Sequence, residues 1–84
     1  MRFDGMPRYF IHIFNDLTAE DEEGVELADD RAALARATSE ARILAAESVR
    51  THGHLVLRHR LEVRGEQGRL VGSVAFGDVV RIVE

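Results

Sequence analysis

The histidines are the side chains of this sequence with the clearest chemical potential. His52 and His54 lie two residues apart, His59 follows five residues later, and His12 lies near the start. Clustered imidazoles can bind zinc or nickel, but this spacing matches no metal motif with defined geometry. His52 suits a helix C-terminus, where positive charge is favourable, and His59 suits a buried, hydrogen-bonded position. The sequence therefore predicts no metal and no cofactor, and a site centred on His12 is the weakest hypothesis.

Carboxylates crowd the stretch between residues 20 and 30. The seven are Glu20, Asp21, Glu22, Glu23, Glu26, Asp29 and Asp30. Calcium loops require alternating Asp residues followed by Gly, and that spacing is absent from the sequence. We interpret the run as a solvated acidic loop that leads into a helix N-terminus, with docking of a basic partner as the alternative.

Nucleophiles for covalent catalysis are scarce. The chain has no cysteine, and Ser39, Ser48 and Ser73 lack the Gly-x-Ser-x-Gly frame of a nucleophile elbow. The glycine-containing segment 65–68 precedes a strand rather than a helix, so it is a hairpin turn and not a phosphate loop. We therefore predict that the protein is not an enzyme.

Size and composition limit the kind of fold that can position these residues. The chain has 84 residues, a net charge of −4, and arginine for all 11 of its basic residues. It contains no apolar run of the roughly 20 residues that a membrane span needs and no apolar leader. These features predict one domain over residues 6–84, preceded by a disordered extension, Met1–Gly5, and located in the cytoplasm.

The predicted elements follow the apolar pattern. Arg8–Phe14 alternates as a strand with two largely apolar faces, and Gly24–Leu27 reads as a short strand paired with it. A helix is predicted from Arg31 to about His52, with Asp29 or Asp30 as N-cap and Gly53 at its end. Its apolar stripe is Leu34, Ala37, Ala41, Leu44, Ala45 and Ser48, with Val49 at the edge.

Two further strands, Leu55–Arg64 and Arg69–Phe76, are predicted after the helix, and Val79–Val83 is either a short last strand or a tail. The apolar pattern favours the register that places the apolar residues of both strands on one buried face. In that register Val63 faces Leu70, Leu61 faces Gly72, His59 faces Val74 and Leu57 faces Phe76. The predicted fold is α+β with two layers, one helix on an antiparallel sheet of about four strands, in the order β-β-α-β-β.

Three short motifs fit one known pattern. Residues 6–12 read Met-Pro-Arg-Tyr-Phe-Ile-His, residues 24–27 read Gly-Val-Glu-Leu, and residues 76–78 read Phe-Gly-Asp. In this the chain resembles a family of small bacterial proteins, common in alphaproteobacteria, that is described as a domain of unknown function. The resemblance covers most of the chain from Met6 onward. It implies a fold and a bacterial source, and no activity.

A single helix covers one face of a sheet, so the other face is predicted to be open. With Tyr9, Ile11 and Ile13 directed to the core, the open face carries two phenylalanines surrounded by arginines. The predicted interaction face is Phe10, His12, Phe14, Arg58, Arg60, Arg64 and Arg69. Such a patch is unusual on a solvent-facing sheet.

Three explanations of this face stay open. Two copies can associate through the face or the sheet edge, since two-fold homodimers are the commonest oligomers. Aromatic residues can stack bases while arginines neutralise phosphates, although the acidic balance of the chain weighs against nucleic acid. Alternatively, residues 79–83 or 1–5 fold over the phenylalanines.

The favoured hypothesis is a non-catalytic protein-interaction module that acts as a homodimer or with an unidentified protein. The alternative is a nucleic-acid-binding or regulatory domain that uses the arginines and phenylalanines of the open face. No membrane contact is expected.

Overall fold

A computed structural model describes residues 5–84. The predicted disorder of residues 1–5 concerns mainly residues 1–4, which lie outside the described residues. The predicted α+β class is confirmed, since one main helix packs on one antiparallel sheet, which has five strands rather than four. In chain order the elements are β1 Arg8–Phe14, β2 Thr18–Ala19, β3 Val25–Glu26, α1 Asp30–His52, β4 Arg60–Arg64, β5 Leu70–Ala75 and α2 Phe76–Val79.

Strand β1 lies in the interior of the sheet, with β4 on one side and β5 beyond β4. On its other side β1 pairs with β2 near its end, where Ile13 faces Ala19, and with β3 near its start, where Tyr9 faces Val25. Strands β2 and β3 therefore act as one edge strand with a gap. The pairing of β1 with Gly24–Leu27 was predicted, whereas the two residues of β2 are too few to produce a periodic signal.

Helix α1 begins and ends as its sequence predicts. The Asp29 carboxylate accepts a hydrogen bond of 2.8 Å from the Ala32 N–H, and Gly53 ends the helix with a φ of 71°. The buried stripe of the helix consists of small side chains at a spacing of four residues, namely Ala33, Ala37, Ala41 and Ala45. This narrow stripe lets the helix lie so close to β5 that a Cβ on Gly72 would meet the Leu34 side chain at 2.9 Å.

The hairpin of β4 and β5 has a different register from the predicted one. Leu61 faces Val74 and Val63 faces Gly72, so each pairing is shifted by two residues from the prediction. A two-residue shift preserves the buried face, because side chains alternate with a period of two. One residue of the shift comes from the turn, which places Arg64 opposite Leu70, and the other comes from a bulge at which the register changes between Val63 and Arg64.

The segments that flank this hairpin also differ from the prediction. Strand β4 begins at Arg60 rather than at the predicted Leu55. Leu57 lies in a turn before the strand, and it is 46% exposed rather than buried in the core. After β5 the chain forms α2, and residues 80–84 form no strand. The Phe76 N–H donates to the His59 carbonyl at 2.7 Å and the Gly77 N–H to the Leu57 carbonyl at 2.9 Å, which brings the Phe76 ring into the core.

The core lies between α1 and one face of the sheet. Its members outside the alanine stripe are Tyr9, Ile11, Leu61, Val63, Val74 and Phe76. None of the helices in residues 5–84 has the length and apolar character needed to cross a membrane.

Candidate functional site

The face of the sheet opposite α1 is here named the open face. Cross-strand pairing brings Phe10 opposite Arg64, His12 opposite Glu62 and Phe14 opposite Arg60 on β1 and β4. Strand β5 adds Leu70, Ser73 and Ala75, which pair with Arg64, Glu62 and Arg60. The core residues of these strands point to the other side, and no helix within residues 5–84 packs over the open face. This face is therefore the largest part of the sheet that lacks a second layer.

Both phenylalanines of the open face are half-buried by local contacts. The guanidinium of Arg60 lies 4.4 Å from the centre of the Phe14 ring, in a cation–π contact. The Phe10 ring packs over Gly24, where a Cβ would come within 2.9 Å of its Cε1 atom. Each ring is therefore held by a neighbouring group and is still only half-buried.

The remaining charges of the open face are largely paired. Arg64 donates from Nε to the Glu62 carboxylate at 3.0 Å and from Nη1 to the Gly68 carbonyl at 3.0 Å. Arg60 lies against an aromatic ring instead. The strands of this face thus combine two phenylalanines with two arginines and one glutamate.

A hydrogen bond from the acidic loop fixes the tautomer of His12 on the open face. The Asp21 N–H donates to Nδ1 of His12 at 3.0 Å, so the neutral ring carries its proton on Nε2. The side chain of Asp21 in turn accepts from the Ile11 N–H at 3.2 Å and from the Gly24 N–H at 3.0 Å. His12 is therefore tied to the acidic loop, as a hydrogen-bond acceptor rather than as a metal ligand.

A shallow cleft of about 600 Å³ runs along this part of the open face. Both aromatic and acidic side chains line it. The residues that line it are Phe10, His12, Phe14, Glu20, Asp21, Glu22, Glu62, Arg64, Gly65 and Gly68. The cleft joins the sheet to the acidic loop, which the sequence had suggested as a separate feature.

Two of the seven predicted face residues lie elsewhere. Arg58 lies in the exposed turn that precedes β4. Arg69 is directed to the helix side, where its guanidinium donates to both oxygens of Asp30, at 2.9 and 3.1 Å. The bulge between the two strands is the reason, because it breaks the alternation on which the predicted placement relied. Five of the predicted residues share the open face.

The Arg69–Asp30 pair forms a cluster with Tyr9 that sequence reasoning did not find. The Tyr9 hydroxyl donates to the Asp30 carboxylate at 2.8 Å. This hydrogen bond raises the pKa of Tyr9, whereas the hydrogen bonds from Arg69 and then from Tyr9 lower the pKa of Asp30. Tyr9 and Asp30 lie 21 residues apart, so no local pattern could have revealed the contact.

The other histidines make structural contacts. His59 is buried, as predicted, with its ring edge against Phe76 and its Nε2 atom 3.4 Å from the Asp16 carboxylate. His52 and His54 stack on each other at the exposed end of α1. Across residues 5–84, no group of three or more His, Asp or Glu side chains is arranged to hold a metal ion.

The residues of the first two sequence motifs hold the pairing of β1 with β3, whereas Phe76 of the third motif lies in the core. Arg8 donates to the Glu23 carbonyl at 2.6 Å and forms an ion pair with Glu26 at 3.4 Å. The Leu27 N–H donates to the Pro7 carbonyl at 3.1 Å, which extends the pairing of β1 and β3. These motifs therefore describe a fold rather than a reaction.

Comparison with known proteins gives a family and no closer relative. A family model described as a domain of unknown function, DUF6894, matches residues 8–77. No curated protein and no solved structure matches the chain.

Proposed function

We propose that this chain, which belongs to the DUF6894 family of domains of unknown function, is a non-catalytic protein-interaction module that works as a homodimer. One observation carries the proposal: within residues 5–84, the sheet has a face without a covering layer and an edge strand, β5, that pairs only with β4. Small domains commonly complete such a sheet by association with a second copy.

The chemistry of the open face supports a protein partner. Phe10 and Phe14 offer rigid aromatic surface with little conformational entropy to lose, which is the property of residues that dominate interface energies. Arg60 stacks on Phe14 and Arg64 is paired with Glu62, so neither guanidinium of these strands is left without a contact. These features favour a neutral, partly apolar protein surface as the contact.

The same features disfavour the alternative function, nucleic-acid binding. Of the four arginines on which that hypothesis depended, Arg69 is held by Asp30 and Arg58 lies in the turn before β4. Glu20, Asp21 and Glu22 line the cleft beside the aromatic rings and would repel phosphates. Nucleic-acid binding is therefore the weaker of the two candidate functions.

Light scattering coupled to size exclusion tests the proposal on the full chain. Measurements at about 10 and 300 μM, each at low and high salt, should give a dimer whose mass changes little with salt, because its contacts are mainly uncharged. A monomer under all four conditions would overturn the homodimer. Fluorescence anisotropy with a labelled single-stranded oligonucleotide should give no binding at low salt, where any phosphate contact is strongest.

A further inference from the structure

The two edges of the sheet are protected to very different degrees. At the β1 edge, β2 and β3 pair with the strand, and the Asp21 carboxylate occupies the gap between them by accepting the Ile11 N–H. Four exposed carboxylates lie in the loop and the strand of that edge, namely Glu20, Glu22, Glu23 and Glu26. A second strand would meet two very short edge strands separated by a gap, together with strong negative charge, so this edge is poorly suited to pairing.

The β5 edge has few such protections. Strand β5 reads Leu-Val-Gly-Ser-Val-Ala, with no charged residue and no proline. In the described part of the chain no strand pairs with β5 except β4. Proteins usually protect an edge of this length with lysine, proline or a covering segment, and here a bulge at one end and Asp78 at the other are the protective features.

The hydrogen-bond pattern identifies the part of β5 that is ready to pair. The Phe76 N–H donates to the His59 carbonyl, and in an antiparallel ladder hydrogen-bonded pairs alternate with non-bonded ones. Val74 therefore directs its N–H and C=O to β4, whereas those of Ser73 and Ala75 point outward. The Ala75 N–H agrees with this assignment, because it donates to the Asp78 side chain at 2.8 Å. Ser73 is the residue with both backbone groups exposed in the regular part of the strand.

We propose that two copies of this chain join through their β5 strands, antiparallel, about a two-fold axis beside Ser73. This inference rests on the proposed homodimer and specifies its interface. Each Ser73 would exchange both backbone hydrogen bonds with the Ser73 of the second copy, and the bulge beyond Gly72 would lie outside the central pair.

Charge favours a second copy over an unrelated strand. β5 itself is uncharged, so self-pairing brings no like charges together. Arg69 precedes the strand and Asp78 follows it. An antiparallel arrangement therefore places Arg69 of one copy near Asp78 of the other. Arg69 is already paired with Asp30, but the opposite signs favour this orientation over a parallel one, which would bring like charges together.

The geometry of this dimer has a functional consequence. A two-fold axis perpendicular to the sheet leaves both α1 helices on one side and both open faces on the other. The dimer would then present one continuous sheet surface with four phenylalanines, two from each copy. This doubled surface could bind a protein partner with two equivalent contacts, which raises avidity without any new type of contact.

The first test removes the outward N–H at the centre of the interface. Ser73→Pro loses a hydrogen bond to the second copy but none to β4, and an edge-strand position with an outward N–H is one at which proline is tolerated. We expect the dimer dissociation constant to rise at least about tenfold, with the circular dichroism spectrum unchanged. A dimer with unaltered affinity and a folded variant would overturn the β5 pairing.

A cross-link decides the question even where the proline variant does not fold. The chain has no cysteine, so Ser73→Cys introduces a single thiol. Opposed residues of a hydrogen-bonded pair have Cα atoms about 5.5 Å apart, within the range of a disulfide. Thiol oxidation should convert most of the variant to a covalent dimer, whereas Thr18→Cys, exposed on the other edge, should link slowly.

The outcomes separate this inference from the proposed function. A wild-type chain that is monomeric at all concentrations overturns the homodimer and the pairing together. A wild-type dimer in which Ser73→Cys links no faster than Thr18→Cys overturns only the pairing, and points to association through the open faces. Rapid linkage of Ser73→Cys in a dimeric wild type supports both.

Discussion

The side chain of Asp21 takes the place of a missing strand residue beside Ile11. Its Oδ2 atom accepts the Ile11 N–H at 3.2 Å, while Oδ1 accepts the N–H groups of Glu23 and Gly24. Burial by itself raises the pKa of Asp21, but the hydrogen bonds from Gly24, Ile11 and Glu23 outweigh it and hold the pKa below its usual value. One carboxylate thus closes the gap between β2 and β3.

Removal of this carboxylate should destabilise the fold. Asp21→Ala leaves the N–H groups of Ile11 and Gly24 without their partner, and a buried donor that loses its partner costs about 1–3 kcal/mol. Glu22→Ala is the matched control, because Glu22 is the exposed neighbour and its side chain makes no hydrogen bond within residues 5–84. Urea denaturation at pH 7 should give a clear loss for the first variant and less than about 0.5 kcal/mol for the second. Equal losses would show that the loop, not the carboxylate, matters.

The lowered pKa of Asp21 also predicts an acid-sensitive stability. A carboxyl group whose pKa is lower in the folded state binds fewer protons there than in the unfolded chain. Its contribution is complete above the unfolded value of about 3.9 and is lost as the pH falls through the lower folded value. Asp21→Asn should therefore lose less stability than wild type between pH 6 and pH 3, as measured by urea denaturation. An Asp21→Asn curve parallel to that of wild type would contradict the assignment.

Tyr9 should ionise at an unusually high pH. Its hydroxyl donates to Asp30, and this hydrogen bond raises the pKa of the phenol. The chain has one tyrosine and no tryptophan, so tyrosinate absorbance reports this residue alone. Asp30→Asn removes the charged acceptor and should bring the titration back toward its ordinary position, with circular dichroism to confirm that the fold persists. Asp16→Asn, at the far end of β1, should leave the titration unchanged.

Gly24 should be far less tolerant of alanine than another glycine with similar backbone angles. Gly24 and Gly68 have φ values of 73° and 76°, so both variants carry the same left-handed strain, of about 1 kcal/mol. A Cβ on Gly24 would also come within 2.7 Å of the Tyr9 carbonyl oxygen, whereas a Cβ on Gly68 meets nothing within 4 Å. Gly24→Ala should therefore cost about 2–3 kcal/mol in a denaturation experiment, and Gly68→Ala only about 1 kcal/mol. Similar losses would mean that the backbone relaxes around Gly24.

Local features of the sequence predicted much of the fold. Strand β1 has the predicted bounds, and α1 ends at the predicted His52 after starting one residue early. These elements depend on alternation and on caps within a few residues. The bulge between Val63 and Arg64 depends on how the turn closes and on packing under α1. Neither factor produces a periodic pattern of apolar residues in the sequence. Five residues of the open face could be predicted because the alternation of side chains along a strand decides which face each one occupies. Arg69 lies on the opposite face because the bulge interrupts this alternation.

Two phenylalanines on opposite faces of the sheet provide the last test, which separates folding from interaction. Phe76 is 2% exposed in the core, and Phe76→Ala should cost about 3–5 kcal/mol. Phe14 is only half-buried and is held mainly by Arg60, so Phe14→Ala should cost about 1–1.5 kcal/mol, the value of a cation–π contact with some lost burial. Denaturation of both variants under identical conditions gives the comparison. If Phe14→Ala proved as costly as Phe76→Ala, the open face would be needed for folding. If the cost is small, the ring contributes little to the stability of one copy, which is expected of an aromatic side chain that serves a contact with another protein.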